Sequence, residues 1–174
     1  MTETVLYAVL KKIDAVELRR YPQVIFAVTD NDEYDSGFNR LFQYITGSNK
    51  TQKSIAMTAP VVTSEKIAMT APVVTHGDYM AFALPASYTK DTVPTPTNPA
   101  VRIEIQPERT MAAIRFSGHT PDLKVQKQTQ TLLTSLQQHK ISVKGEPVLM
   151  RYNSPFTPGF LRRNEVAVEV ADVQ

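Results

Sequence analysis

The sequence contains no cysteine among its 174 residues. Disulfide bonds, thiolate catalysis and cysteine-ligated metals or clusters are therefore excluded, and a reducing compartment is consistent with this composition. Tryptophan is also absent, and the six glycines are not arranged as a phosphate-binding loop, a dinucleotide fingerprint or a nucleophile elbow requires. No stretch approaches the roughly 20 apolar residues that span a bilayer.

An excess of charge of either sign is missing as well. Nineteen Lys and Arg stand against seventeen Asp and Glu, and the basic residues are scattered, so a nucleic-acid-binding surface is not indicated. The N-terminus has an early acid, Glu3, and no basic region, and Lys11 and Lys12 interrupt its apolar stretch. It does not have the pattern of a signal peptide, and we expect a cytoplasmic protein.

The length and composition are those of one folded domain, which we expect to span residues 1–174. The hydrophobic fraction of 42% and the charged fraction of 21% are ordinary for a packed core. Alternating or continuous apolar runs bounded by Pro, Gly and polar residues predict eight strands. These are Val5–Lys12, Ala15–Arg20, Val24–Thr29, Tyr79–Leu84, Val101–Ile105, Met111–Phe116, Val148–Tyr152 and Val166–Val170.

Two amphipathic helices are predicted between these strands. In the first, Phe38, Leu41, Phe42 and Ile45 recur at i, i+3, i+4 and i+7, and the polar stretch 47–49 ends the helix.

The second predicted helix follows Thr120, which is expected to be its N-cap, and Pro121 at its first position. Its apolar side chains are expected to face inward; they are Val125, Leu132, Leu133 and Leu136.

An internal repeat lies between the two helices. Ile55–Thr63 recurs identically as Ile67–Thr75, and the even offset of twelve residues preserves strand parity. Pro60 and Pro72 are expected at strand ends or a sheet edge, because proline cannot donate to a ladder. Either one copy lies in the sheet and the other in an excursion, or both copies form matched strands along one ligand wall.

Each half of the chain has the same order of elements: a strand pair, a helix and further strands. This order predicts an α+β fold of two pseudo-symmetric halves, packed into one sheet or distorted antiparallel barrel with helices against it.

Five blocks together resemble one known family, in its order and over nearly the whole chain. They are Val16–Tyr21, Leu41–Asn49, Lys66–Val73, Tyr152–Phe156 and Arg162–Val166. The chain resembles the SOUL family of haem-binding proteins, and its doubled Met-Thr-Ala-Pro-Val segment is similar to bacterial members.

The resemblance implies a distorted antiparallel β-barrel flanked by two helices, akin to the effector-binding domains of some bacterial regulators. It also implies non-covalent binding of haem or another tetrapyrrole in an apolar cleft beside the first helix. Some members place a histidine just before the tyrosine that follows the second strand. Arg20 occupies that position here, so an axial histidine supplied by this route is not expected.

The candidate ligand-binding residues combine apolar, phenolic and charged side chains. They are Phe38, Leu41, Phe42, Ile45, Met69, Arg151, Tyr152, Arg162, Arg163 and Glu165. The apolar members could instead be ordinary core, and at least one arginine could pair with Glu165 or Glu169 as a structural contact.

A metal site is not expected. The three histidines, His76, His119 and His139, show no metal-ligand spacing. Met57 or Met69 could offer a thioether to haem iron, although methionine in an apolar strand is more often packing.

Three functions remain open from the sequence, and none fixes an oligomeric state. The first is a binding module for a small hydrophobic or planar ligand such as a tetrapyrrole. The second is a small-molecule effector-binding or sensor domain. The third is a hydrolase that uses Glu165 with Tyr152.

Overall fold

A computed structural model describes residues 3–31, 34–51, 64–154 and 156–173. These ranges form twelve strands, two α-helices and a short 3-10 helix, Gly159–Leu161. The strands are β1 (Glu3–Thr4), β2 (Ala8–Ile13), β3 (Val16–Tyr21), β4 (Val24–Asp30), β5 (Asn49–Lys50), β6 (Thr70–Thr75), β7 (Tyr79–Ala83), β8 (Thr95–Pro96), β9 (Val101–Gln106), β10 (Arg109–Phe116), β11 (Val148–Arg151) and β12 (Asn164–Glu169). The helices are α1 (Tyr34–Thr46) and α2 (Asp122–Gln138).

Nine strands form one antiparallel path in the order β2-β3-β10-β12-β11-β6-β7-β4-β9. β1 adds to the start of β6 in parallel, and β5 and β8 form a separate two-stranded sheet. The α+β class with a large antiparallel sheet and two helices is therefore confirmed. No helix in the described ranges is long and apolar enough to cross a bilayer.

Of the expected single sheet or distorted barrel, the described part of the chain forms a sheet that does not close. A barrel needs pairing between the first and last strands of the path, and β2 and β9 are its two free ends. The sheet instead curls until side chains from distant strands meet on its inner face. Tyr21 and Met111 pack there in one cluster with Val24 and Phe26, so burial is achieved without closing the ladder.

Both helices lie on the outer face of the sheet. The stripe of α1 packs Leu41, Tyr44 and Ile45 against β4 and β7, including Phe82. At the end of this helix Gly47 adopts a positive φ of 140°, which favours glycine.

The helix α2 packs against the other half of the outer face. Leu132 and Leu136 contact a cluster built from β3, β10 and β12. Thr120 is not its N-cap as expected. Pro121 occupies that position without a side-chain cap, and the Thr120 hydroxyl accepts hydrogen bonds from Arg151 instead.

The second copy of the repeat forms β6, near the centre of the sheet. The expectation that Pro72 lies at a strand end or a sheet edge is wrong. β1 pairs with Thr70 and Ala71, β11 pairs from Val73 onward, and the β6–β7 register shifts between Thr70 and Val73. This irregularity accommodates the proline, because Pro72 falls between the two paired stretches. The first copy and Met57 lie outside the described residues.

Strands from the two halves of the chain pair in three places: β3 with β10, β4 with β9, and β6 with β11. We call the β6–β11 pair, near the centre of the sheet, the seam. On one side the order is β6-β7-β4-β9, and on the other it is β11-β12-β10-β3. The predicted structural equivalence of the two halves stays a prediction.

Candidate functional site

The main cavity of the described chain lies where the two helices leave the outer face of the sheet uncovered. α1 covers the strands on one side of the β6–β11 seam and α2 covers those on the other. The cavity above the seam has a volume of about 580 Å³. Its lining consists of Phe38, Phe42, Met69, Thr70, Ala71, Val73, Gly118, Thr120, Arg151, Tyr152, Asn153, Ser154, Arg162 and Asn164.

One wall of this cavity is apolar. The rings of Phe38 and Phe42 lie one turn apart on α1, parallel to within 12° and with their centroids 6.1 Å apart. Phe38 is fixed by an edge contact with Phe82 in the core, whereas Phe42 is 47% exposed. Met69 and Val73 continue this surface along β6. The wall therefore presents ring faces and a thioether to the cavity, a surface that suits a flat apolar ligand.

The opposite wall is polar and basic. Arg151, at the end of β11, donates to the Thr120 hydroxyl at 3.1 Å. Arg162 donates to the Thr157 carbonyl at 2.8 Å and lies 3.3 Å from the Nδ1 atom of His119. Both guanidinium groups are thus oriented by neighbouring loops, and a guanidinium is suited to binding a carboxylate.

A buried hydroxyl adds a polar group at the base of the cavity. Thr70 is almost fully buried, and its Oγ1 atom has no hydrogen-bond partner among the described residues. Buried polar side chains are normally hydrogen-bonded, so this hydroxyl is a candidate ligand contact.

The ten residues expected at the site fall into three groups. Those that line the cavity are Phe38, Phe42, Met69, Arg151, Tyr152 and Arg162. Leu41 and Ile45 do not line it; they lie on the inward face of α1 and belong to the core. Arg163 and Glu165 do not line it either, because Glu165 points to the inner face of the sheet and holds Arg163 there.

Glu165 is the centre of a buried charge cluster, formed by Arg19, Tyr21, Tyr152, Arg163 and Glu165. Arg19 donates to both carboxylate oxygens, at 2.7 and 2.8 Å. Arg163 donates to Oε1 at 2.8 Å, and the Tyr152 hydroxyl donates to Oε2 at 2.9 Å. The alternative that one arginine pairs structurally with Glu165 therefore holds for Arg163.

The charge cluster keeps Glu165 ionised. Burial alone would raise the pKa of this carboxyl, but hydrogen bonds and charges from Arg19 and Arg163 outweigh it, and the pKa lies below the ordinary 4.5. Burial, followed by the nearby Tyr21 and Glu165, raises the pKa of Tyr152 above its ordinary value of 10. Tyr152 therefore stays a neutral donor: its hydroxyl binds the cluster, the Arg163 guanidinium lies over its ring at 4.0 Å from the centroid, and the residue also lines the cavity.

Sequence reasoning missed eight of the lining residues, Thr120 and Asn164 among them, and also the arginine that anchors the charge cluster. This arginine is Arg19, which forms the strongest contacts of the cluster. Arg19 is 146 positions from Glu165 in the sequence, so no local pattern joins them. Its strand β3 also carries Glu17 and Arg20, which are only partly buried, so the sequence of the strand does not mark Arg19 as the buried charge.

No histidine lines the cavity in the described ranges. Arg20 occupies the position at which the family resemblance implied a histidine in some members. It does not line the cavity; it contacts Glu108 and Asp172 on the outer face. Among the described residues that line the cavity, Met69 is the one thioether.

His76 lies away from the cavity, in the turn between β6 and β7. Its Nε2 atom is 2.6 Å from Glu146, and its Nδ1 atom accepts from the Asp78 amide. Three potential metal ligands thus lie together, and sequence spacing did not show it because Glu146 is distant in the chain. Both ring nitrogens already have partners, and both carboxylates are exposed, which is an ordinary surface arrangement.

The fold and the cavity together define a class: an α+β domain with a cavity on its sheet between two helices. The family model described as SOUL heme-binding protein matches residues 2–169, nearly the whole chain. The chain belongs to the SOUL heme-binding protein family, as its sequence blocks indicated. A comparison with curated protein sequences finds no match to this chain.

Two solved structures share the fold at low identity. The C-terminal domain of EcmrR has a TM-score of 0.56 at 10% identity, over 97% of this chain and 99% of that domain. A hydrolase from Listeria innocua has a TM-score of 0.59 at 11% identity, over 93% of this chain and 94% of that one. At these identities the likeness establishes the fold alone.

Proposed function

We propose that this protein binds haem or another tetrapyrrole, non-covalently, in the cavity between α1 and α2. The observation that carries the proposal is the division of one cavity into an aromatic wall and a basic wall. A tetrapyrrole such as haem has the same division, with a flat apolar ring and a carboxylate-bearing edge. Membership of the SOUL heme-binding family supports the same ligand class.

The contacts would divide between these walls. Phe38 and Phe42 would stack on the ring, while Arg151 and Arg162 would bind the carboxylates. Burial of a few hundred Å² of apolar surface, at roughly 25 cal/mol per Å², is sufficient for micromolar binding after the cost of association. Strong axial ligation is not part of the proposal, since Met69 is the sole candidate thioether in the described lining.

The test is an absorption titration of the purified protein with haemin and with metal-free protoporphyrin. We expect saturable one-to-one binding of both, with similar affinity. Phe42→Asp should weaken binding by about tenfold or more, because a carboxylate in the wall must lose its hydration when the ring binds. Val9→Asp is the matched control, since Val9 is equally exposed and lies on edge strand β2.

Two results would contradict the proposal in different ways. A marked preference for haemin, with a ligand-field spectrum, would show axial ligation. Equal binding of the dimethyl ester of protoporphyrin would remove the role given to Arg151 and Arg162, because the ester carries no carboxylate.

The second candidate function is an effector-binding or sensor domain for another small molecule. It uses the same cavity, and its support is the fold shared with the EcmrR C-terminal domain over nearly the full length of both chains. Saturable binding of cationic drug-like compounds, with none of protoporphyrin, would favour this candidate.

The geometry gives no support to a hydrolase that uses Glu165. This carboxylate is fully buried, ionised and occupied by two arginines and a phenol. It has no proton to donate and does not line the cavity.

A further inference from the structure

The loops on the basic side of the cavity carry large apolar side chains that face solvent. Phe156 is 95% exposed, Phe160 78% and Leu123 81%, and Leu161 is also exposed. We call these four residues the apolar tip. Elsewhere in the described chain, Leu6 is the one large apolar side chain with comparable exposure.

The two segments that form the tip are tied together beside the cavity. The Gly118 amide donates to the Gly159 carbonyl at 2.9 Å, and Arg162 contacts His119 at 3.3 Å. Gly118 and Arg162 also line the cavity. The tip therefore borders the polar wall of the cavity.

These segments carry more cations than acids. From Arg151 to Arg163 there are three arginines and no acidic residue. From Arg115 to Lys127 there are three basic residues and one acid, Asp122. Exposed Phe and Leu side chains among such cations are complementary to a surface that has an apolar layer beneath negatively charged groups.

We propose that the apolar tip docks this protein on the surface of an anionic phospholipid membrane. Phe156 and Phe160 enter the boundary between headgroups and acyl chains, and cations of the two segments, such as the partly exposed Lys124 and the exposed Lys127, contact lipid phosphates. Four large exposed apolar side chains on two adjoining segments indicate an interaction site, and the excess of cations in these segments favours lipid over an average protein surface. The docking goes beyond ligand binding and does not depend on which ligand the cavity holds, although it would bring the cavity close to the bilayer.

The test is co-sedimentation of the full chain with two kinds of vesicle. One is pure phosphatidylcholine, and the other contains phosphatidylcholine and phosphatidylglycerol in equal parts. We expect binding to the mixed vesicles that weakens as salt is raised, because salt screens the attraction between these cations and the lipid phosphates. The double variant Phe156→Ser, Phe160→Ser should lose about tenfold or more in affinity, because it removes two large apolar side chains from the interface.

Leu6→Ser is the matched control, since it removes a comparably exposed apolar side chain outside the two segments of the tip, and it should bind like the unmodified protein. The absence of binding to the mixed vesicles would overturn the proposal, as would equal binding by the double variant. Self-association of the unmodified protein that the double variant abolishes, without vesicle binding, would assign the tip to a second copy and also overturn it. Protoporphyrin titration in solution is expected to be unchanged in the double variant, so failure of membrane docking is distinguishable from failure of ligand binding.

Discussion

At the scale of single residues, Glu165 shows how this fold holds a charge in its interior. Taking a carboxylate out of water costs several kcal/mol, and the cost is recovered only if each oxygen is well paired. Here Oε1 accepts from Arg19 and Arg163, and Oε2 accepts from Arg19 and Tyr152. Removing the charge would leave Arg19, which is 2% exposed, without its main counterion.

Glu165→Gln should therefore lower the free energy of unfolding by about 3–5 kcal/mol, the usual cost of breaking a buried pair. The measurement is urea denaturation followed by circular dichroism. Glu169→Gln is the matched control on the same strand. Its 3.7 Å ion pair with Lys144 is partly exposed, so it should cost less than about 1 kcal/mol. Equal losses in the two variants would contradict the role given to the charge cluster.

The pH dependence of the same variant gives a second readout. The pKa of Glu165 is lower in the folded protein than the ordinary 4.5, so the unfolded chain binds the proton more readily. The stability that this group contributes is fully present above about pH 4.5, the ordinary pKa of the unfolded chain. It is lost as the pH falls through the lower pKa that Glu165 has in the folded protein. Glu165→Gln should have a shallower fall in unfolding free energy over this acidic range than the unmodified protein.

At this scale the sequence predicted residue types better than partners. Phe42, Arg151 and Tyr152 were identified as candidates, and they do line one cavity. Leu41 was grouped with Phe42 because both belong to the same helical stripe. Only the packing of α1 shows that Leu41 faces the core and Phe42 the cavity.

At the scale of elements, α2 depends on a narrower apolar face than its sequence indicates. Leu132 and Leu136 are fully buried against the sheet, whereas Leu133 is only partly buried. The helix period separates neighbours by about 100°, so consecutive leucines cannot both point at the sheet.

Leu132→Ala should lower the free energy of unfolding by about 2–5 kcal/mol, because it leaves a cavity under α2. Leu133→Ala, with the same chemical change one residue away, should cost clearly less. Thermal and urea denaturation of the two variants side by side measure the difference. The same loss in both would mean that α2 is rotated relative to the face described here.

The longer elements were predictable because periodicity is a local property. Both helices and most strands of five or more residues lie close to their expected bounds. The two-residue strands β1, β5 and β8 were missed, since two residues carry no period. The central place of β6 was also missed, because Pro72 argued for an edge and the register shift that accommodates it depends on β1 and β11.

At the scale of the whole molecule, the cavity belongs to neither half of the chain alone. Phe38 and Phe42 come from the first half, and Arg151 and Arg162 come from the second. One of the pairings that join strands of the two halves is the β6–β11 seam, where Val73 pairs with Arg151 directly in the cavity lining. Candidate site residues in each half could be identified from the sequence. The position of the cavity could not, because it depends on how the sheet places α1 and α2 relative to each other.

A ligand in this cavity should therefore hold the seam closed. Hydrogen exchange measured by mass spectrometry, with and without protoporphyrin, tests this on the backbone amides of β6 and β11. At a ligand concentration of about 100 times Kd, binding adds about 2.7 kcal/mol to the free energy of any opening that destroys the site. Hydrogen exchange through such an opening should therefore be about 100-fold slower. Amides of β2, at the free edge remote from the cavity, exchange by local fraying and should not change. Protection of β2 without protection of β6 and β11 would place the ligand elsewhere, whereas protection confined to the seam would show that the ligand bridges the two halves of the sheet.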